Sequence, residues 1–413
     1  MEKGNKLSVV SIVKLQNGNV EGAVRKAVSL TGSFESVAWE GAKVLIKPNT
    51  VLPVKTGTGI VTDVRVVEAV TRLVLEKNPK KVVIGEGSSV GYDFRETWNS
   101  MRCMEIAGVT EVARRFGVEV VDLNRDEQVE VSVPDAFVME NFAIAKTALE
   151  ADVIICLPVI KTHIRTGITC GLKNMKGVLP GNEKKRTHKL GLDRGIVDLN
   201  RVTKPTFTIV DGIVGVQGAW GSQAEAADRV PLNLIFAGSD VVAVDTVCAT
   251  TAGFDVREIL HVQLAGEANL GICNMDLIEV RGETLDDVKR PFIPFLQAAK
   301  DLYGGAKVIE KDSCTGCMGE SVSTFIYLNR AGFHERLPDL TLIMGTPEEI
   351  PPLKEKPVIL GRCAKAYRHL GVFVPGCPPH GLKITDAVCQ ALEIDQDIVH
   401  RAIAELHSFS ADY

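Results

Sequence analysis

Residues 43–89 read KVLIKPNTVLPVKTGTGIVTDVRVVEAVTRLVLEKNPKKVVIGEGSS. The opening KVLIK (43–47) is a short apolar run bounded by lysines, as in a buried strand. From Val64 to Lys77 the apolar residues Val66, Val67, Val70, Leu73 and Val74 recur at helical spacing. KVVI (81–84) is a second apolar run, and it passes directly into Gly85-Glu86-Gly87-Ser88-Ser89. Strand, helix and strand in this order argue for parallel strands covered by helices.

The same rhythm continues on both sides. Leu7–Val13, Val118–Asp122, Val153–Leu157, Phe207–Val210 and Leu232–Ala237 are further strand candidates, and Val20–Leu30 reads as a helix. The expected fold is α/β, a mainly parallel sheet flanked by helices, with ligands bound beyond the carboxyl ends of the strands. The pattern is interrupted around residues 290–310 by Arg290-Pro291-Phe292-Ile293-Pro294 and Tyr303-Gly304-Gly305. Beyond it come Leu340–Met344, Val358–Leu360, Val372–Pro375 and a helical region from Thr385. Two domains are expected, 1–300 and a smaller α/β cysteine-rich one over 301–413.

With 413 residues, 45% hydrophobic and 24% charged, the composition is that of a globular protein. A formal net charge of −5 gives no reason to expect nucleic acid or an anionic membrane as partner. No apolar stretch reaches the roughly 20 residues needed to span a bilayer, and MEKGNKLSVVSIVK lacks a secretory core. A cytoplasmic location is expected. The oligomeric state is left open.

Cys314, Cys317, Cys363 and Cys377 stand apart from the other cysteines. The first two flank Thr-Gly in SCTGCMG (313–319), and the last lies in Val-Pro-Gly-Cys-Pro-Pro (374–379). Cys363 and Cys377 each follow an apolar run, so two loops of one small α/β unit could converge on the first pair. Four such thiolates suit a 4Fe–4S cluster, with a structural zinc as the alternative. Met318, Phe373 and the prolines would give the site a partly dry wall, and His380 a hydrogen bond to sulfur. Cys103, Cys156, Cys170, Cys248, Cys273 and Cys389 read as small buried side chains.

The stretch GVFVPGCPPHGLKITDAV resembles the cluster-binding loop of the small subunit of nickel–iron hydrogenases and its relative in respiratory complex I. In those proteins the V-P-G-C-P-P loop gives a thiolate to a 4Fe–4S cluster. The resemblance covers some eighteen residues and implies that role for Cys377, without implying a shared activity.

Residues 158–190, PVIKTHIRTGITCGLKNMKGVLPGNEKKRTHKL, hold eight Lys or Arg and one acid, Glu183. This charge follows the strand Val153–Leu157 directly, where a parallel sheet presents its crevice. It reads as an anion site: Lys161, Lys173 and Lys176 would hold the anion, and His163 or His188 would move protons near neutral pH. Asn174 lies among them. The later EKKRTHK (183–189) reads as a mobile flap.

Three further strand ends present Lys47 with Asn49, Glu86, and Asp211. Asp240 reads as the cap of the helix 241–252. Asp245 falls in the apolar run VVAVDTVCA, where an unpaired carboxylate would be costly, so a buried ion pair with a lysine is expected. Gly215–Gly221 reads as a lid with Trp220 as its cover.

KPNTV (47–51), VVIGEGSS (82–89), LPVIKTHIRTGITCGLKNMKGVLPG (157–181), IVDGIVGVQGAWG (209–221) and GSDVVAVDTVCA (238–249) together resemble the domain-of-unknown-function 362 family. The resemblance spans roughly residues 40–285. Members are often fused to, or described as, iron–sulfur centre proteins, but the sparse C-terminal cysteine set here departs from the repeated Cys-x-x-Cys of a ferredoxin-type domain. Cluster count and potential therefore do not carry over. The family's architecture is similar to the N-terminal fold of lactate racemase, an analogy of fold alone.

The expected function is an iron–sulfur redox protein that exchanges electrons with an anionic small molecule or a partner protein. Two other readings fit the same residues. One is a non-redox transferase, lyase or racemase-like enzyme with a structural metal, and the other is an electron carrier or cluster-handling protein without its own substrate.

Overall fold

The computed structural model describes residues 8–88, 99–219, 228–313, 315–353 and 355–408. The chain divides into two compact units, one of Met1–Gln217 with Ala224–Phe292, the other of Gly218–Gln223 with Ile293–Tyr413.

The strands of the larger unit are β1 Ser8–Lys14, β2 Lys43–Pro48, β3 Lys81–Glu86, β4 Glu119–Asp122, β5 Gln128–Ser132, β6 Asn141–Ala145, β7 Val153–Leu157, β8 Val159–His163, β9 Gly167–Thr169, β10 Phe207–Val216, β11 Arg229–Gly238 and β12 Ile278–Gly282. All but β5 and β6 form one sheet, ordered β12-β1-β11-β10-β7-β2-β3-β4, with β8 pairing β10 and β9 pairing β8. From β10 through β7, β2 and β3 to β4 every pairing is parallel. Among the described residues of this sheet, antiparallel pairing is confined to β11 with its two neighbours and to the β8–β9 pair. Every residue of β7 is buried, as a central parallel strand covered on both faces requires.

The helix Val64–Leu75 starts where Asp63 accepts a hydrogen bond from the Arg65 backbone N–H. It buries Val66, Val67, Val70, Leu73 and Val74, the stripe read in the sequence. Each such side chain contributes about 1.5–3 kcal/mol over its exposed state. Asp240 caps Val241–Thr251 by accepting from the Val242 and Ala243 N–H groups. The β5–β6 hairpin was not legible, because its strand β5 (QVEVS) has no fully buried face.

Residues 158–190 depart most from the expectation. Instead of a loop they form β8, β9, a one-turn helix Gly171–Asn174, a 3-10 turn Met175–Val178 and a helix Gly181–Leu190. The expected flap is that last helix, with Gly181, Lys184 and Thr187 buried.

In the smaller unit, β13 Lys307–Lys311, β14 Thr341–Gly345, β15 Val358–Leu360 and β16 Val372–Val374 form a parallel sheet in sequential order. The helix Thr315–Arg330 contributes the buried Val322, Phe325 and Leu328. Cys317 therefore lies in the first turn of a helix, not in the loop expected from its sequence. Among the described residues no helix is long and apolar enough to cross a membrane.

Candidate functional site

The chain runs outward from β2 to β3 and β4, then returns to β7 on the other side of β2 and continues to β10. The strand order thus reverses between β2 and β7. Sheets of this kind bind ligands beyond the carboxyl ends of the strands at such a reversal, the expected crevice.

Lys47, at the end of β2, is fully buried and donates to both Glu86 carboxylate oxygens at 3.0 Å and to the Pro48 carbonyl at 3.1 Å. Glu86, at the end of β3, also accepts from the N–H of Gly87 at 2.8 Å and of Thr50 at 3.2 Å. A pair so enclosed and fully hydrogen-bonded neutralises itself. Gly177 packs directly on it: a Cβ there would overlap Glu86 Oε1 and come within 2.5 Å of Lys47 Nζ.

A second chain of bonds ties the basic segment to β2. Lys161 Nζ donates to the Ile60 carbonyl at 2.6 Å and to Asn49 Oδ1 at 3.2 Å. Asn49 Nδ2 donates to Asn174 Oδ1 at 3.1 Å, and Asn174 Nδ2 reaches the Lys47 carbonyl at 3.3 Å and Cys156 Sγ at 3.2 Å. Lys47, Asn49, Glu86, Lys161 and Asn174 are thereby gathered at one place.

His163, Lys173 and His188 are half-buried, so solvent reaches them. Burial is nonetheless the first cause that lowers the pKa of each. Lys173 falls to about 8, with Asp193 working in the opposite direction. Lys161 and Lys176 are pushed well below the usual lysine range by burial and then by Lys173. His163 and His188 are lowered by burial, then by Lys173 and His188 for the first and by Lys176 and Lys173 for the second.

These mutual effects mark one cluster of basic groups. Among the described residues, the ammonium groups of Lys173 and Lys176 make no hydrogen bond or ion pair. Nδ1 of His163 accepts from the N–H groups of Arg165 and Thr166, both at 3.3 Å. The neutral ring therefore carries its proton on Nε2 and is a hydrogen-bond donor first.

Asp211 lies within β10 and not at the strand end expected for it, and Asp245 lies in the helix Val241–Thr251. Asp211 accepts from the Asp63 N–H at 2.6 Å and the Ile213 N–H at 3.0 Å, and burial raises its pKa to about 7. Asp245 was expected to pair with a lysine. It instead accepts from the N–H groups of Gly171 at 2.7 Å and Leu172 at 3.0 Å, which open the turn carrying Lys173 and Asn174. Burial raises it to about 6.

Lys184 was missed. It is buried and donates to the Gly87 carbonyl at 2.6 Å and to Asn124 Oδ1 at 2.5 Å, so the helix Gly181–Leu190 is pinned to the β3 loop. A signal existed: Gly181, Lys184, Thr187 and His188 recur at helical spacing, though none is apolar. Trp220, the expected cover, lies outside the described residues.

In the smaller unit, Cys317 is buried while Cys363 and Cys377 are exposed. The Gly361 N–H donates to the Val374 carbonyl at 3.0 Å and the Arg362 N–H to the Gly376 carbonyl at 2.9 Å, so the loops bearing Cys363 and Cys377 lie side by side. Cys317 Sγ sits against the first of them: a Cβ at Gly361 would approach it to 2.8 Å. Three cysteine-bearing segments therefore adjoin, and their donor chemistry fits a thiolate-bound centre. Among the described residues no three His, Cys, Asp or Glu side chains are gathered as a metal site, and Cys314 lies outside them. His380 caps the helix Gly381–Leu392, its Nδ1 accepting from the Leu382 N–H at 3.2 Å.

The chain is 26% identical over 272 residues to the thylakoid-associated protein sll1697 of Synechocystis sp., covering 64% of this chain and 79% of that protein. It is also similar to the lactate racemase apoprotein of Thermoanaerobacterium thermosaccharolyticum, with 16% identity and a TM-score of 0.38 over 63% of this chain. The chain spans 59% of that structure. A family model described as "Domain of unknown function (DUF362)" matches residues 44–250, half of the sequence that contains every crevice residue described above, and the chain belongs to that family.

Proposed function

We propose that the larger unit binds a small dianion, a phosphate or a dicarboxylate, in the crevice formed by Lys161, His163, Lys173, Lys176 and His188. The observation that carries this reading is the pair of side-chain amino groups on half-buried Lys173 and buried Lys176, neither with a partner among the described residues. Cations held together at this cost in desolvation and mutual repulsion gain most from a ligand of more than one negative charge. His163 Nε2–H would donate to the anion. Lys173, lowered to about 8, can hold or release a proton near neutral pH, which supports a role in proton transfer. Lys47, Asn49, Glu86 and Asn174 form the wall, and Asp211 and Asp245 fix the backbone around it.

For the smaller unit we propose that Cys314, Cys317, Cys363 and Cys377 hold a 4Fe–4S cluster, which would supply one-electron chemistry. Together these readings make the protein an iron–sulfur redox protein acting on, or regulated by, a bound anion. Calorimetry should find phosphate or malonate bound at least tenfold tighter than acetate, and anaerobically purified protein should carry about four iron and four sulfide per chain. Equal affinity for mono- and dianions would remove the first reading, and a colourless zinc-containing protein the second.

A further inference from the structure

Asp193 and His261 form an enclosed acid–base pair outside the dianion contacts. Asp193 lies in the first turn of the helix Leu192–Val202, and His261 is the second residue of the helix Leu260–Glu267, which packs against it. His261 Nδ1 stands 3.3 Å from Asp193 Oδ1. His261 is fully buried, yet neither of its ring nitrogens makes a hydrogen bond among the described residues, and Asp193 Oδ1 makes none either. Helix packing alone gives no reason to leave buried polar groups unsatisfied, whereas functional sites often do.

The helix bearing Asp193 is tied to the turn that carries Lys173. Asn200, two turns on from Asp193 and on the same face, donates from Nδ2 to the Leu172 carbonyl at 3.0 Å. Asp245 holds the N–H groups of Gly171 and Leu172 in that turn, and His261 acts electrostatically on Asp245 in its turn. Other acids of this unit are committed elsewhere. Glu86 pairs with Lys47, Glu183 with Arg186, and Asp198 accepts from the N–H groups of Phe137, Val138 and Met139. Asp193 is the carboxylate that favours the charged form of Lys173 against burial. The further charged groups that interact with Lys173 are Lys161 on β8, Lys176 on the 3-10 turn, and His163 and His188, all basic.

We infer that Asp193 is a positioning residue of the crevice: its carboxylate, backed by His261, is the counter-charge that keeps Lys173 able to carry a proton among its basic neighbours. This rests on the dianion reading above, in which Lys173 must be charged when the ligand is bound. Asp193 acts through Lys173 and touches no ligand itself.

The test uses the full chain without added anion, with trace acetic anhydride as probe. Only the uncharged amine is acetylated, so labelling of the Lys173 peptide against pH, read by mass spectrometry, gives the pH at which Lys173 is half charged. In the unaltered protein this should lie at about 8. In Asp193→Asn it should fall by at least about 0.5, because a nearby carboxylate favours the charged amine. Asp193→Glu, which restores the charge, should recover at least about half of that fall. An unchanged half-labelling pH in Asp193→Asn, with or without a lower Tm, would overturn the inference and assign the pair to helix packing. An equal fall in Asp193→Glu would overturn it too, since charge would not be the cause. Phosphate calorimetry on the unaltered protein is read separately: no binding would remove the dianion reading, while the labelling decides the role of Asp193 by itself.

Discussion

Glu86→Gln should cost the larger unit about 3–5 kcal/mol of stability, the usual loss when one member of a buried ion pair is removed. The substitution keeps the shape of the side chain and removes its charge. Lys47 is then left fully buried with the Pro48 carbonyl and an amide oxygen in place of a carboxylate. Two further donors, the Gly87 and Thr50 N–H groups, now share that amide, whose NH2 cannot accept. A fall in Tm of about 10 °C is expected for a unit of this size. Lys47→Met combined with Glu86→Leu should recover part of the loss, because apolar replacements leave no buried charge. A shift of under about 2 °C in Glu86→Gln would mean that the pair is not buried as described.

Lys173→Ala together with Lys176→Ala should lower dianion affinity by about 100-fold or more, since a hydrogen bond to a charged group contributes about 1.5–3 kcal/mol. Neither side chain bonds to the protein, so the double variant should keep its Tm or gain slightly by relief of like-charge repulsion. Lost affinity at constant Tm separates a ligand contact from a structural one. Lost affinity with a large fall in Tm would assign these lysines to the fold instead.

Local pattern made the strand ends legible. KVLIK, KVVI and VIICL are short apolar runs, so Lys47, Glu86 and Lys161 could be placed at the crevice from order alone. That Lys47 and Glu86 pair with each other could not be read, because the contact joins residues 39 apart through two parallel strands. The helix Gly181–Leu190 was hidden for a different reason. Its inward face is glycine, lysine, threonine and histidine, and polar contacts to Gly87 and Asn124 replace an apolar stripe. The cost of burying Asp245 was legible, but its solution was not: two backbone N–H groups at the start of a one-turn helix satisfy it without a cation. The helical setting of Cys317 was masked by Thr-Gly, which reads as a turn.

If the proposed dianion binds here, its binding and the protonation of the lysines are linked. Burial and neighbouring cations depress Lys161, Lys173 and Lys176 in the free protein, Lys173 to about 8. A bound dianion opposes that depression, so the lysines take up protons as it binds. Affinity should be highest below pH 8 and fall by up to about tenfold per unit above it, as the lysines must be recharged from an ever scarcer proton. The direct measurement is titration calorimetry of phosphate at pH 8 in two buffers of different ionisation enthalpy. Net uptake on the order of one proton per anion is the predicted result. No uptake, or proton release, would contradict the crevice as an anion site.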